Sequence, residues 1–471
     1  MSGLFATLEL AKRIDGGSDV DVVDLADWVK IPDGWNQNTS QDDAPVDEAL
    51  TLNIDETGTD SLAATLQGID NKVKDIERSR APNEPYGVWL RAQLAGETNE
   101  RQAFLLRGKR SSQVRVSNPA LLNSVLLQYT LGLTRMAGWE TDAPVALPVA
   151  TAPYAISAHG GMIPYDLGGD LNARVALATF GVGDDLSNFS EIWIGAKSEK
   201  YGGVNPANFV PFWGMDKHGY LDVDASVSSD TTNCVSGVKL AVSFATVTLM
   251  QMRVAIAVSA VTAHAGDQRG RYIVLLRAMT DNASLVSNVR AGRGYMYSGY
   301  PGVFSYGDSL QIGPSANSSY QYYTLGEIDL PPVTSLIDLD MNYAALAVQA
   351  EKISGSGNLL MDGLLLVPAE NFVHVQAVQP IYGSFLADRP LRMRVITTPD
   401  LRYRSIVTIT PSGTEYTIEQ NPVDQLTWSL PPGAGAIVCG AQLTGGTTRV
   451  ADLITPSFEV YSSYATLRGA D

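Results

Sequence analysis

The chain has 471 residues, 45% of them hydrophobic and 18% charged, enough apolar material for several cores at roughly 100–200 residues per domain. Fifty acids against 33 bases leave a formal net charge of −17, which argues against general nucleic-acid binding, because that needs Lys and Arg to neutralise phosphates. The two cysteines, Cys234 and Cys439, match no zinc or redox spacing and are expected as buried free thiols.

No run of about 18 apolar residues is present, so no membrane span is expected. The start, Met1-Ser2-Gly3-Leu4-Phe5, lacks the basic and apolar regions of a signal peptide, and synthesis in a cytoplasm is expected. The charged share lies below the roughly 25% of an ordinary domain, which fits a protein that hides surface against partners and equally a plain β-sandwich.

Residues 1–150 read as a β domain with one helix. Leu4–Leu10 has the alternation of a strand, residues 30–47 read as an exposed loop, and Leu50, Leu52 and Ile54 alternate with Thr51 and Asn53. A helix is predicted over 60–80. Thr59 or Asp60 can cap it, Leu62, Leu66, Ile69, Val73 and Ile76 form one apolar stripe, and Pro82 stops it. Strands are expected at Gly87–Leu94, Glu100–Leu106 and Ser124–Arg135. The proline-bearing segment Asp142–Pro153 reads as a linker into a second domain.

Residues 151–372 show no helical period. Strands are predicted at Arg174–Phe180, Glu191–Ala196, Lys239–Phe244, Thr246–Ser259, Arg271–Met279, Tyr320–Leu330, Tyr343–Val348 and Leu359–Val367, separated by turn residues. This pattern predicts an antiparallel β-sandwich of the jelly-roll kind, with the long apolar Thr246–Ser259 covered on both faces. Residues 373–471 are again β by pattern, with strands expected at Met393–Thr398, Arg404–Thr410, Glu415–Glu419 and Ala436–Gln442. This segment either folds by itself or completes the N-terminal domain. The fold class is mainly β.

Catalytic signals are absent from the sequence. His159, His218, His264 and His374 are scattered, and no HExxH, GxSxG, CxxC or GxxxxGK[ST] occurs, so no enzyme and no cofactor are expected. Asp222 and Asp224, with Asp230 and Asn233 nearby, form the best oxygen-ligand cluster for calcium, although EF-hand spacing is missing and a solvated loop explains them as well.

The aromatics Tyr295, Tyr297, Tyr300, Phe304, Tyr306, Tyr320, Tyr322 and Tyr323 crowd one stretch. They suit stacking against sugar rings, with Asp308 and Asn317 for hydroxyls, or a protein interface, or plain packing. Charge is uneven. Residues 1–60 hold fourteen acids and three bases, whereas residues 386–410 hold five arginines, Arg402 and Arg404 among them, and two aspartates. Opposite charge at opposite ends could pair within a chain or between copies.

Several segments, taken in order, resemble tail proteins of tailed bacteriophages. They are Glu48–Ile54 leading into the helix, Val88–Arg91, Gly96–Arg101, Leu133–Glu140, Gly169–Arg174, Ile192–Ala196, Leu325–Pro331 and Asp362–Pro368. The resemblance covers about the first 370 residues and implies a distal-tail-like, tail-tube-like β-sandwich or barrel domain carrying a jelly-roll module. It implies a structural virion protein of the tail tip or baseplate, assembled in the host cytoplasm as a homo-oligomeric ring that docks other tail proteins. The alternative expectation is a carbohydrate-binding adhesion protein that touches host surface glycan through the jelly roll. Under the first reading Arg402 and Arg404 are candidate contacts between subunits.

Overall fold

In a computed structural model the described residues are 5–14, 18–26, 45–55, 62–78, 86–117, 125–147, 161–182, 189–198, 212–214, 225–235, 237–244, 250–254, 270–297, 300–314, 319–330, 343–376, 392–397, 404–409, 415–419, 429–443, 454–465 and 467. They are mainly β, in antiparallel sheets, with one helix.

The first group of elements is β1 (Phe5–Ile14), β2 (Asp19–Asp24), β3 (Val46–Asp55), helix α1 (Leu62–Arg78), β4 (Tyr86–Leu94), β5 (Arg101–Ser117) and β6 (Val125–Arg135). The long β5 divides along its length between β4 and β6, and its first residues also pair with Trp139–Thr141. Arg101–Phe104 pairs with β4, and Leu105–Ser117 pairs with β6, which in turn pairs with β3.

Helix α1 lies against these strands because its apolar stripe must leave water. Ile69 and Ile76 are fully buried, and Leu66 and Val73 pack beside them on a core of Leu8, Leu10, Leu50, Leu90 and Leu133. Gly108 of β5 permits the approach, since a Cβ there would stand 2.9 Å from Ile76 Cδ1. The helix also buries charge. Lys72 is fully buried and pairs with Asp21, and Asp75 accepts from Lys12 at 3.3 Å. Paired in this way, the charges avoid the cost of isolated burial.

The next strands are β7 (Trp139–Thr141), β8 (Val145–Leu147), β9 (Gly161–Leu167), β10 (Leu171–Val182) and β11 (Phe189–Ser198). A long excursion follows: β12 (Phe212–Gly214), β13 (Ala225–Ser229), β14 (Val238–Val242), β15 (Met250–Val254), β16 (Gly270–Thr280), β17 (Val286–Tyr297), β18 (Tyr300–Tyr306), β19 (Leu310–Ile312), β20 (Gln321–Leu330), β21 (Tyr343–Ser354) and β22 (Leu359–Pro368). The chain closes with β23 (Val373–Gln376), β24 (Arg392–Thr397), β25 (Arg404–Ile409), β26 (Glu415–Glu419), β27 (Ser429–Leu430), β28 (Gly433–Leu443) and β29 (Ile454–Tyr464).

Strand pairing makes this order a nest. The excursion builds its own two sheets, β13-β14-β22-β16-β20 and β15-β21-β17-β18, whose facing side chains share one core that includes Leu240, Leu276, Leu366, Val289, Leu346 and Val348. The strands on either side of the excursion close on one another in the sheet β23-β11-β28-β9. The last strand, β29, pairs with β7, β8 and β10, joining a sheet whose main path is β2-β1-β4-β5-β7-β29-β10-β24-β25-β26, with β3, β6, β8 and β27 paired off it to make 14 described strands.

Residues 433–464 therefore complete sheets begun by residues 139–198. Beyond β29, Leu467 packs into the same core as Leu8 and Trp139. Val145–Leu147, inside the segment read as a linker, is a paired strand. Of Thr246–Ser259, expected as a strand covered on both faces, Met250–Val254 is described. Among the described strands it pairs with β21 alone.

Among the described strands, β22 is covered on both faces. Its burial is nearly continuous, as a run of Leu-Leu-Met-Asp-Gly-Leu-Leu-Leu-Val-Pro requires. One face of its sheet meets the β17–β21 sheet. On the other face β11 and β28 approach so closely that a Cβ on Gly195 would stand 2.2 Å from the Pro368 carbonyl oxygen, and one on Gly440 2.5 Å from Leu365 Cδ2.

Candidate functional site

The aromatic stretch singled out in the sequence divides between two sheets. Tyr295 and Tyr297 lie on β17, and Tyr300 and Tyr306 lie on β18, with Tyr297 opposite Tyr300 and Tyr306 opposite Gly292. Tyr320 and Tyr322 belong to the other sheet of the sandwich, at the start of β20. Tyr322 sits edge-on to Trp193 with ring centroids 5.9 Å apart, and its burial pushes the phenol up to about 12. Packing therefore accounts for Tyr320 and Tyr322. Asp308 is exposed in the turn between β18 and β19, while Asn317 lies outside the described residues.

Tyr320 borders a hollow of about 140 Å³ at the end of the β14-β22-β16-β20 sheet, lined also by Asp230, Asn233, Lys239, Met279, Ser319 and Leu360. Asp230, Asn233 and Lys239 of its lining are matched to one another. Asp230 accepts from the Asn233 backbone N–H at 3.1 Å and from Lys239 Nζ at 3.3 Å. Partial burial opposes the Asp230 charge, but the Asn233 N–H and the Lys239 ammonium outweigh it and hold the carboxyl below its ordinary value.

Beneath the hollow, the Asp362 carboxylate accepts from the Arg277 guanidinium and from the Val235 N–H at 2.8 Å. Arg277 also donates to the Asn233 carbonyl at 2.9 Å and lies 4.9 Å from the Tyr320 ring centroid. Cys234, beside Tyr320, is fully buried, and that burial pushes its thiol up to about 12. This network fixes the sheet end, and burial keeps the Cys234 thiol protonated. Asp222 and Asp224, the calcium candidates, lie outside the described residues. Among the described residues no three His, Cys, Asp or Glu side chains gather as a metal site.

On β17 and β18 a second aromatic arrangement is half-buried. The Tyr306 ring lies over Gly292, where a Cβ would stand 2.5 Å from Tyr306 Cδ1. The Arg290 guanidinium is 4.9 Å from the same ring, and its Nε donates to Gln349 Oε1 at 2.5 Å. A planar cation beside a half-buried aromatic, fixed by an amide, is a preorganised contact surface. The sequence singled out Tyr306. Arg290 and Gln349 carried no signal there, since strand register alone makes them neighbours.

The second candidate feature is charge. The acidic strand β2 stands at one end of the 14-stranded sheet and pairs, among the described strands, with β1 alone. Its Val20 and Val22 are two of the four exposed large hydrophobics among the described residues. Asp19 joins Glu9, Glu100 and Asp142 around Arg91, at 2.6, 3.4, 3.1 and 3.6 Å respectively. Burial raises the Glu9 carboxyl, with Arg91 pulling against it and the neighbouring acids adding to it.

Toward the other end of that sheet, β24 and β25 carry Arg392, Arg394 and Arg404, with β26 outermost. Arg402 lies outside the described residues. No family model and no curated protein matches this chain.

Proposed function

We propose that the chain is a structural component of a tailed-phage tail tip or baseplate, acting by assembly into a ring and by docking other tail proteins. The observation that carries this reading is the acidic strand β2 at one end of a single sheet with the arginine-bearing β24 and β25 near its other end. Identical copies that close a ring meet head to tail, through two different surfaces. Ends of opposite charge supply such a pair and bias its orientation.

The outermost strand β26 bears Glu415 and Glu419, and β2 bears three aspartates. Acidic edges of this kind discourage edge-to-edge strand addition. The contact proposed is therefore between sheet faces near the two ends. Replacing Arg392, Arg394 and Arg404 with Glu tests it. Loss of ring particles in negative-stain images, with unchanged circular dichroism, is the expected result. Rings that form as before in the triple variant would overturn the reading.

A second reading has its own observation. The Tyr306–Arg290–Gln349 arrangement on the inserted sandwich favours host-surface glycan adhesion, and such a role can reside in the same molecule.

A further inference from the structure

We infer that the hollow at the end of the β14-β22-β16-β20 sheet seats one neutral sugar unit at the end of a glycan. The ligand class rests on the adhesion reading, and the site is separate from the Tyr306 arrangement. Strand register places the hollow. Leu240, Ala278, Leu359 and Met361 point into the sandwich core. Lys239, Met279 and Leu360 alternate with them and therefore share the opposite face of the sheet. Met279 and Leu360 are cross-strand partners, and both are half-buried.

Size selects a single ring. The hollow holds about 140 Å³, close to the roughly 150 Å³ of an apolar cavity that admits one six-membered ring, so a chain of sugars does not enter. The Lys239 side chain is 32% exposed and marks the mouth, where the rest of a glycan leaves.

Chemistry selects a neutral polyol. Asp230 and Lys239 cancel, as do Asp362 and Arg277 beneath them, so the described groups present no surplus charge. Hydrogen-bonding capacity of both kinds remains. Lys239 spends one N–H on Asp230 and keeps two, while the Ser319 hydroxyl and the Asn233 side-chain carbonyl have no partner among the described residues. The Asp230 carboxylate and the Lys239 ammonium stand 3.3 Å apart, which matches two neighbouring sugar hydroxyls, one donating to the acid and the other accepting from the cation. Met279 and Leu360 give the C–H face of the ring an apolar floor. Arg277, bound to both the Asn233 carbonyl and Asp362, fixes the turn that carries Asp230 and Asn233, so the site is formed before a ligand arrives.

The test is saturation-transfer NMR of the full chain with glucose, galactose, mannose and N-acetylglucosamine, beside glucuronate and glucosamine. Binding of a neutral member in preference to the charged ones is expected. Lys239→Met should weaken it about tenfold and Ser319→Ala about fivefold, the loss of one charge-assisted and one neutral hydrogen bond. Lys239→Arg keeps the donors and should retain binding. Binding that Lys239→Met and Ser319→Ala both leave unchanged would overturn the hollow as the site. Binding of the charged sugars alone would overturn the ligand class. No binding of free sugars by a chain that still binds a printed glycan array would overturn the hollow and leave the adhesion reading standing. No binding in either format would overturn both.

Discussion

Arg277 on β16 and Asp362 on β22 form an ion pair inside a sheet, with Asp362 fully buried and Arg277 only 2% exposed. Both charges have further partners, the Asn233 carbonyl and the Val235 N–H, so the turn between β13 and β14 is tied to the two central strands. Breaking a buried pair by removing one member strands the other. Asp362→Ala should therefore cost about 3–5 kcal/mol, whereas the double replacement Arg277→Met, Asp362→Leu should recover much of that loss. Denaturant unfolding of the three proteins measures it. Equal losses in the single and double variants would contradict the account.

The closing strand is held by a backbone contact that tolerates only glycine. Gly169 has φ of +107°, and a Cβ there would stand 2.2 Å from the Ser463 carbonyl oxygen. Next to it, Asp170 N–H donates to that oxygen at 3.1 Å, and the Asp170 carboxylate accepts from the Ala465 N–H at 2.6 Å. Gly169→Ala should loosen β29 and destabilise the protein by at least about 1–3 kcal/mol. Faster hydrogen exchange across Ile454–Tyr464 is the expected readout, and unchanged protection would refute the role given to this glycine.

The thiols supply a pH prediction. Burial raises both, Cys234 from an ordinary 9.0 to about 12 and Cys439 higher still. In the folded chain they stay protonated at pH 9, where unfolded thiols are already ionising. The unfolded state then holds fewer protons, so stability falls as pH rises from about 9 toward 12. Native protein at pH 9 should react slowly with a disulfide reagent, and denatured protein should release two equivalents at once. A fast native reaction would contradict the burial of both groups.

The helix stripe gives a packing prediction. Ile76 is fully buried and meets Gly108 on β5. Ile76→Ala should cost about 2–5 kcal/mol by removing methyl groups from a site that closes only partly. Chemical denaturation would show it, and a loss below about 0.5 kcal/mol would mean that α1 is not packed as described.

Local features were legible in the sequence because they depend on periodicity. The stripe Leu62–Ile76 placed α1, predicted over 60–80 and found at Leu62–Arg78, and apolar runs bounded by turn residues placed β4, β20 and β22. The nesting was not legible. Residues 454–464 pair with residues 139–182, and nothing in a local pattern states a partner some three hundred positions away.

Two further misses have local causes. β2 gave no strand signal, because three of its six residues are Asp. Val145–Leu147 is too short to stand out among prolines. Of the Tyr306–Arg290–Gln349 arrangement only the tyrosine was visible, since Arg290 and Gln349 lie 59 positions apart and meet only through the β17–β21 register.

The central claim is assembly through oppositely charged sheet faces near the two ends of one sheet. Mass photometry of the purified 50.4 kDa chain across a salt series tests it most directly, because surface charge contacts are screened within about 10 Å at 0.1 M salt and 3 Å at 1 M. The account predicts a closed multiple of the chain mass at low salt that dissociates as salt rises. A monomer at every salt concentration, or an oligomer indifferent to salt, would contradict it.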